Sequence, residues 1–358
     1  MRILILANND LGLYRFRKEL ITELLKEHEV YISLPYGEMV DPLVQKGCIL
    51  YDTPIDRRGI NPFSDLKLLR SYGKMIDEIK PDLVITYTIK PNIYGGMACS
   101  RRNIPYAVNV TGLGAAFQKK GALQEMVTVM YRIAMKKARV VFAENIDIKK
   151  IIVDKKIIPD RKAHVLNGAG VNLEDFTYAE YPENETFSFL FIGRVMKAKG
   201  IDELLEAVRR LNKEGLRCDL HLVGFSEEDY LSEIQRGCEE GWLVDHGMQK
   251  DVRPFIAASD CFVLPSWHEG MANTNLESAA SGRPVITTDI PGCREAVLDG
   301  KTGFLCKREN VDSLCKAMRR MCQTPREERI RMGMAGRRYM EEKFDKKVVV
   351  RETMRWLF

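Results

Sequence analysis

Several things are missing from this chain of 358 residues, and each absence narrows what it can be. No apolar run reaches the ~18 residues needed to cross a bilayer. The N-terminal Ile3-Leu4-Ile5-Leu6-Ala7 is too short for the core of a secretory signal, has no cleavage site after it, and reads as a first strand. The nine cysteines, an odd number, include no Cys-x-x-Cys and no zinc-like spacing. Cys218, Cys261 and Cys315 stand in apolar surroundings, as reduced thiols of a cytosolic protein do. Five scattered histidines suggest no metal site. No Asp-x-Asp occurs, so that pattern lends no support to a carboxylate clamp for a divalent cation. Low-complexity tracts and short repeats are absent too.

What is present has the makeup of an ordinary soluble globular protein, 45% hydrophobic and 29% charged. The length exceeds what one core usually organises, so two domains are expected. Net charge is +5, unevenly placed. Residues 1–173 hold 27 Lys+Arg against 18 Asp+Glu, whereas residues 174–358 hold 28 against 32. A basic half suits an anionic partner: nucleic acid, a phosphorylated acceptor or an anionic membrane. Surface solubility alone also accounts for it. No aromatic-and-basic stacking motif accompanies the charge, which argues against nucleic acid.

Strands and helices alternate along both halves. Apolar runs at 3–7, 30–34, 83–86, 105–110 and 139–143 read as strands of the first half. Those at 187–192, 218–223, 260–264 and 284–287 read as strands of the second. Between them lie amphipathic helices, one with Phe16, Leu20, Ile21, Leu24 and Leu25 on a face, another with Ile201, Leu204, Leu205, Val208 and Leu211. Continuous apolar strands between such helices predict parallel sheets covered on both faces. The polar, turn-rich stretch 174–186 is the expected linker. We therefore expect domains at 1–173 and 174–340, followed by a last helix over 341–358.

Two segments carry chemistry. Glu269-Gly-Met-Ala-Asn-Thr-Asn-Leu-Glu277 follows the strand at 260–264 and runs into a helix. The backbone amides of Met271 to Asn275 are expected as the open donors of that helix start, which favours an anion. A carboxylate before the donors and another behind them suit a ligand with phosphate in the middle and hydroxyls at its ends, as in a sugar nucleotide. A capped helix with two solvated glutamates fits the same nine residues. Gly193-Arg-Val-Met-Lys-Ala-Lys-Gly200 follows the first strand of the second half. Arg194 and Lys199 are placed to clamp a diphosphate, one as a planar fork and the other as a point charge. A basic turn in water is the plainer alternative.

Taken in order, Gly193-Arg194, Lys199-Gly200, Pro265-Ser-x-x-Glu269-Gly, and Leu276-Glu277-x-Ala-x-x-Gly282-x-Pro284-Val285-Ile286 resemble the retaining glycosyltransferases of sequence family four. Asn167-Gly-Ala-Gly-Val-Asn172, Gly292-x-x-Glu295 and Asp299-Gly-x-x-Gly303-Phe304 extend the likeness over nearly the whole chain. The resemblance implies the GT-B fold: α/β, two Rossmann-like doubly wound domains facing across a cleft. It also implies retention of anomeric configuration, and a final helix, 341–358, that crosses back to the first domain. Arg194 and Lys199 would bind the donor diphosphate and stabilise charge on the leaving group. Glu269 would contact the donor sugar near its reacting face, and Glu277 the ribose hydroxyls. The amides of Gly270, Met271, Ala272, Asn273 and Thr274 would hold phosphates and sugar, and the loop 247–250 would lie near the base. Glu269, Arg194 and Lys199 are the expected catalytic set, with no metal and no cofactor beyond a UDP-sugar donor.

The first half departs from the common family pattern. Asn8-Asn9-Asp10-Leu-Gly12 replaces a Gly-Gly loop, and Thr111-Gly-Leu-Gly114 stands where many relatives have a histidine. These features, with Thr88-Ile-Lys90-Pro91-Asn92-Ile-Tyr94-Gly95-Gly96, resemble the bacterial subgroup that extends undecaprenyl-diphosphate sugars. Asn9, Arg15, Lys90 and Thr111 are the expected acceptor-binding residues. Gly112-x-Gly114 is no dinucleotide fingerprint, because Ala116-Phe117 stand where its last glycine belongs. Lys119-Lys120, then Leu123, Met126, Val127, Met130 and Ile133, then Arg132, Lys136 and Lys137, form a basic amphipathic stretch. It suits an anionic leaflet, or equally a core helix with its basic face in water.

The expected function is thus transfer of a hexose or N-acetylhexosamine from a UDP-sugar to a saccharide on a lipid diphosphate. The protein would be cytoplasmic and peripheral at the inner face of the cell membrane. A glycosyltransferase with a soluble acceptor, and a non-catalytic sugar-nucleotide-binding protein, are the alternatives.

Overall fold

The computed structural model describes residues 1–56, 61–117 and 121–358, in two compact units. One unit comprises Met1–Ala169 with Lys347–Phe358, and the other Gly170–Lys346.

The first unit is built on seven parallel strands: β1 (Arg2–Leu6), β2 (Glu29–Leu34), β3 (Ile49–Asp52), β4 (Leu83–Tyr87), β5 (Tyr106–Val110), β6 (Val140–Ala143) and β7 (Ala163–Val165), in the order β3-β2-β1-β4-β5-β6-β7. Its helices are α1 (Asp10–Leu24), α2 (Val40–Gln45), α3 (Pro62–Ile79), α4 (Gly96–Arg102), α5 (Ala122–Met135) and α6 (Ile146–Asp154), with a π-helical turn at Pro91–Gly95 before α4. Successive strand residues point to opposite faces, and both faces are dry. Leu83, Ile85 and Tyr87 join one core with Ile3, Ile5 and the α1 residues Leu20, Ile21 and Leu24. Val84 joins the other with Leu4, Leu6 and residues of α3 and α5, such as Tyr72 and Tyr131. Asparagine starts three of these helices: the Asn9, Asn61 and Asn145 side chains accept from Gly12, Phe63 and Ile148 amides.

The second unit repeats the plan with β8 (Phe187–Ile192), β9 (Cys218–Val223), β10 (Leu243–Asp245), β11 (Cys261–Leu264), β12 (Val285–Thr288) and β13 (Gly303–Cys306), ordered β10-β9-β8-β11-β12-β13 and parallel throughout. Its helices are α7 (Ile201–Lys213), α8 (Leu231–Glu239), α9 (Arg253–Ala258), α10 (Asn273–Ala280), α11 (Val311–Gln323) and α12 (Arg326–Lys343). In both sheets the order reverses beside the first strand, at β1/β4 and at β8/β11. Ligands of open parallel sheets bind at such points, outside the carboxyl ends of the strands.

Two expectations about the chain's layout change. The division falls at Ala169/Gly170 rather than after residue 173, and 174–186 is not a linker. Tyr181 in that stretch is buried, its hydroxyl donating to the Asp260 carbonyl at 2.9 Å. The buried Arg283 guanidinium donates to the carbonyls of Ala179, Ile256 and Ala257 at 3.2, 3.0 and 2.9 Å, and to that of Glu180. Polar composition there serves carbonyl satisfaction inside one unit, not a loose connection. The last helix, α13 (Lys346–Leu357), starts at the boundary and packs on the first unit. Val349 and Leu357 enter the core around α1, the Trp356 ring lies tilted against His164 with centroids 3.5 Å apart, and Arg139 donates to the Phe358 carbonyl at 2.9 Å.

Candidate active site

The second unit's switch point holds both chemical segments. The Gly193–Gly200 loop leaves β8, and Pro265 to Met271 leave the neighbouring β11. The two loops touch because Gly200 has no side chain. Its φ is 74°, and a Cβ there would lie 2.2 Å from the Pro265 carbonyl oxygen. The Trp267 amide donates to the Ala198 carbonyl at 3.0 Å and locks the pair.

This contact sets the Lys199 ammonium on Glu269 Oε1, and the same oxygen accepts from the buried Ser266 hydroxyl at 2.7 Å. The Lys199 and Glu269 side chains are 18% and 13% exposed, so the pair is largely shielded from water. Arg194, 44% exposed, is ion-paired with Glu227 on the loop after β9. That loop is stitched to the Arg194 loop by Val195 N to Phe225 O at 2.9 Å, Glu227 N to Val195 O at 3.1 Å, and Lys197 N to Glu228 Oε2 at 2.8 Å. Both cations thus carry a carboxylate partner. Their charge is held in place rather than left free in water.

The helix start is partly spent within the fold. The Ala272 amide donates to the Gly292 carbonyl at 2.7 Å, and that of Asn275 to the Ala272 carbonyl at 3.0 Å. These two were expected to be open. The turn at Gly292 takes the first of them, and it comes so close that a Cβ at Gly292 would lie 2.5 Å from the Glu269 carbonyl oxygen. Met271, Asn273 and Thr274 have no backbone acceptor among the described residues, so the open donors are fewer than the sequence implied. Glu277 stands on the buried side of α10, one turn in. Gly270 stays beside Glu269 in the loop. The 247–250 loop follows β10, where the Gly247 carbonyl accepts from Gly224 N at 2.8 Å at the end of β9.

Some residues of this site were not anticipated. Ser266 and Glu227 are partners of the expected residues. Ser266 was readable as the nearest hydroxyl to Glu269, and Glu227 only by knowing that β9 lies beside β8. The Cys293 thiol is pushed well up, first by burial and then by the negative charge of Glu269, so it stays protonated beneath the site. Asn275 is fully buried, its amide donating to Thr287 Oγ1 at 3.1 Å, and Thr287 in turn to the Leu264 carbonyl at 2.7 Å. This chain ties α10 to β11 and β12 beneath the loop.

In the first unit, Asn9, Lys90 and Thr111 follow β1, β4 and β5, adjacent parallel strands, and so share one sheet edge. Asn9 is the cap of α1, with Gly12 N at 2.6 Å from Oδ1, while its Nδ2 donates to Asn8 Oδ1 at 2.9 Å. Lys90 is paired with Asp65 at 2.7 Å, and Tyr94 donates to the other oxygen of Asp65 at 2.8 Å. Arg15 is exposed on α1. Sequence reading missed a buried pair at this edge: Arg17 meets Glu144 at 2.8 Å, with its guanidinium 4.9 Å from the centre of the Tyr87 ring. The pair Lys119 and Lys120 lies outside the described residues.

Residues 186–324 match the sequence model of "Glycosyl transferases group 1", and residues 2–145 that of "Glycosyl transferase 4-like". The chain is 25% identical over 353 residues to the N,N'-diacetylbacillosaminyl-diphospho-undecaprenol alpha-1,3-N-acetylgalactosaminyltransferase of Campylobacter jejuni, covering 94% of this chain and 92% of that one. It is 27% identical to the Escherichia coli UDP-Gal:alpha-D-GlcNAc-diphosphoundecaprenol alpha-1,3-galactosyltransferase, over 74% of this chain and 72% of that one. Among solved structures, a Rickettsia africae glycosyltransferase superposes with a TM-score of 0.81 at 19% identity, covering 99% of this chain and 97% of the other. The Anabaena HepE protein in complex with UDP and glucose gives 0.80 at 16% identity, covering 99% and 98%. These matches run the length of both units and coincide with the segments that build the site, so the chain belongs to the group 1, 4-like glycosyltransferases of GT-B fold.

Proposed function

We propose that this glycosyltransferase moves a hexose or N-acetylhexosamine from a UDP-sugar to a saccharide carried on a lipid diphosphate, with retention and without a metal ion. In this reading it works at the inner face of the cell membrane, in assembly of a cell-surface glycan. The observation that carries the donor half is the Lys199–Glu269–Ser266 cluster at the β8/β11 switch point, with Arg194 beside it. Breaking the bond from the sugar C1 to phosphate oxygen leaves negative charge on a nucleoside diphosphate. Two fixed cations and the open amides of Met271, Asn273 and Thr274 stabilise that charge where it develops. The leaving phosphate oxygen then accepts the proton of the attacking acceptor hydroxyl as the new C1–O bond forms. The Glu269 carboxylate faces the sugar, and Glu277 accepts from the ribose.

The lipid-diphosphate half is supported by the two relatives whose names specify diphospho-undecaprenol acceptors. It is supported further by the placement of Asn9, Lys90 and Thr111 on one sheet edge of the basic unit. Calorimetry with UDP, GDP and ADP sugars, then product analysis with undecaprenyl-diphosphate saccharides, tests the reading. We expect UDP-sugar binding that Arg194→Ala weakens, and transfer to the lipid-linked acceptor. Binding of no sugar nucleotide, or transfer only to free sugars, would overturn it.

A further inference from the structure

Helix α5 is inside out. Its buried positions include the polar Gln124 and Thr128, along with Tyr131, Ala134 and Met135. Its outward positions include Leu123, Met126, Val129 and Ile133, exposed at 43%, 47%, 46% and 55%. Met126, Val129 and Ile133 follow one another at i, i+3 and i+7, which is a single row on a helix, with Leu123 and the half-buried Met130 along one flank. Val127, also expected on the apolar face, is half-buried too. The inner face is fixed and cannot simply roll over. Tyr106 of β5 donates to the Ala134 carbonyl at 2.7 Å, while Thr128 Oγ1 is satisfied within the helix by the Gln124 carbonyl at 2.7 Å. A Cβ on Gly96 of α4 would lie 2.7 Å from the same Ala134 oxygen.

The segment that contains this row is strongly basic. Residues 101–162, which contain α5, hold 14 Lys+Arg against 5 Asp+Glu, whereas residues 1–100 hold 13 of each. The whole positive excess of the first half therefore sits in the segment around this helix. Arg132 donates to the carbonyls of Lys155 and Lys156 at 2.9 and 3.0 Å, which brings those two lysines beside α5. The Lys155 ammonium meets Glu125, the helix's own acid, at 3.4 Å.

From the row and its charge we infer that the outward face of α5 seats in the headgroup region of an anionic phospholipid bilayer. Met126, Val129 and Ile133 enter the acyl boundary, and the surrounding lysines rest on lipid phosphates. An apolar row exposed on a charged rim gains from both burial and charge only at such a boundary. The inference rests on the proposed function insofar as a lipid-linked acceptor gives the protein a reason to be there. It names the surface that does the docking.

The test uses the full chain and vesicles of phosphatidylcholine with or without phosphatidylglycerol. The wild-type chain sediments with the anionic vesicles, less with the neutral ones, and less as salt rises. The variant Met126→Ser/Val129→Ser/Ile133→Ser loses at least about tenfold in partitioning while keeping its melting temperature. Its turnover on an acceptor with a short, water-soluble chain stays within about twofold of wild type. A Val129→Trp chain provides a second measurement, with added fluorescence that bromine-labelled anionic lipid quenches. Equal vesicle binding by wild type and the triple serine variant would overturn the inference. So would a wild-type dimer in sedimentation velocity that the variant loses, because the row would then be a contact between copies. Vesicle binding through α5 in a protein that transfers no sugar would support this surface and sink the proposed function instead.

Discussion

The Lys199 ammonium donates to the Glu269 carboxylate, seventy positions away in sequence. The two stand on loops that meet only because Gly200 lets the chain pass under Pro265. Under the proposed function, a diphosphate entering this site would compete with Glu269 for the lysine, and the sugar would take the place beside the carboxylate. Lys199 would then serve as a preorganised cation, held in place by the residue proposed to face the donor sugar.

Replacing Lys199 by Ala is therefore expected to slow turnover by ~10²-fold or more, the scale of losing one fixed charge-stabilising donor. The same change at Arg194, more exposed and held by Glu227, is expected to reach a similar size. Steady-state kinetics at saturating donor decides: an effect below twofold would remove either residue from the role given to it.

Glu269→Gln separates holding a sugar from holding a nucleotide. The amide keeps the size of the side chain and can still accept from Ser266, but it leaves Lys199 without its counter-charge. We expect a fall in turnover of ~10²-fold, with UDP affinity measured by calorimetry unchanged or tighter, since the diphosphate no longer competes with a carboxylate. A loss of UDP affinity equal to the loss of turnover would assign Glu269 to the nucleotide and not to the sugar.

What the sequence revealed and what it hid have one physical divide. All nine interior strands were legible, because a strand buried on both faces is a continuous apolar run. The missed strands are β3, β7, β10 and β13, the outermost of the two sheets. They are three or four residues long, and each includes exposed or half-buried positions, as in Leu243-Val244-Asp245. The placing of Arg194, Lys199 and Glu269 at one sheet edge was legible because each follows a strand in the same half of the chain. Their partners Ser266 and Glu227 follow from which strands are neighbours, which sequence spacing does not state. The same limit applies to α5: its period was plain, but which face turned inward depended on the close approach of Gly96 to Ala134.

Arg283 should matter to stability more than any surface ion pair. It is fully buried, and its guanidinium satisfies the carbonyls of Ala179, Glu180, Ile256 and Ala257. Arg283→Met fills similar volume but leaves those oxygens without their donor. We expect a loss of about 3 kcal/mol in urea denaturation, with proteolysis opening first near residues 178–182. Unchanged stability would mean that water replaces the guanidinium in full.

The second unit also carries a pH dependence that can be signed. His221 Nδ1 lies 2.8 Å from His246 Nε2, with the rings stacked at 5.1 Å and Phe255 against the second ring. The pKa of His221 is lowered from 6.5, first by burial and then by the His246 charge, with Asp219 opposing. Above the unfolded value of 6.5 the ring is neutral in both states, and its contribution to stability is complete. As pH falls below that value the unfolded chain takes up a proton that the folded chain does not, so stability declines until pH passes the lowered folded value. Melting measured from about pH 7.5 down to about pH 5.5 should show this decline. His221→Gln keeps a donor for His246 but does not titrate, so its melting temperature should fall less over the same interval. An equal slope in variant and wild type would place the dependence on other groups.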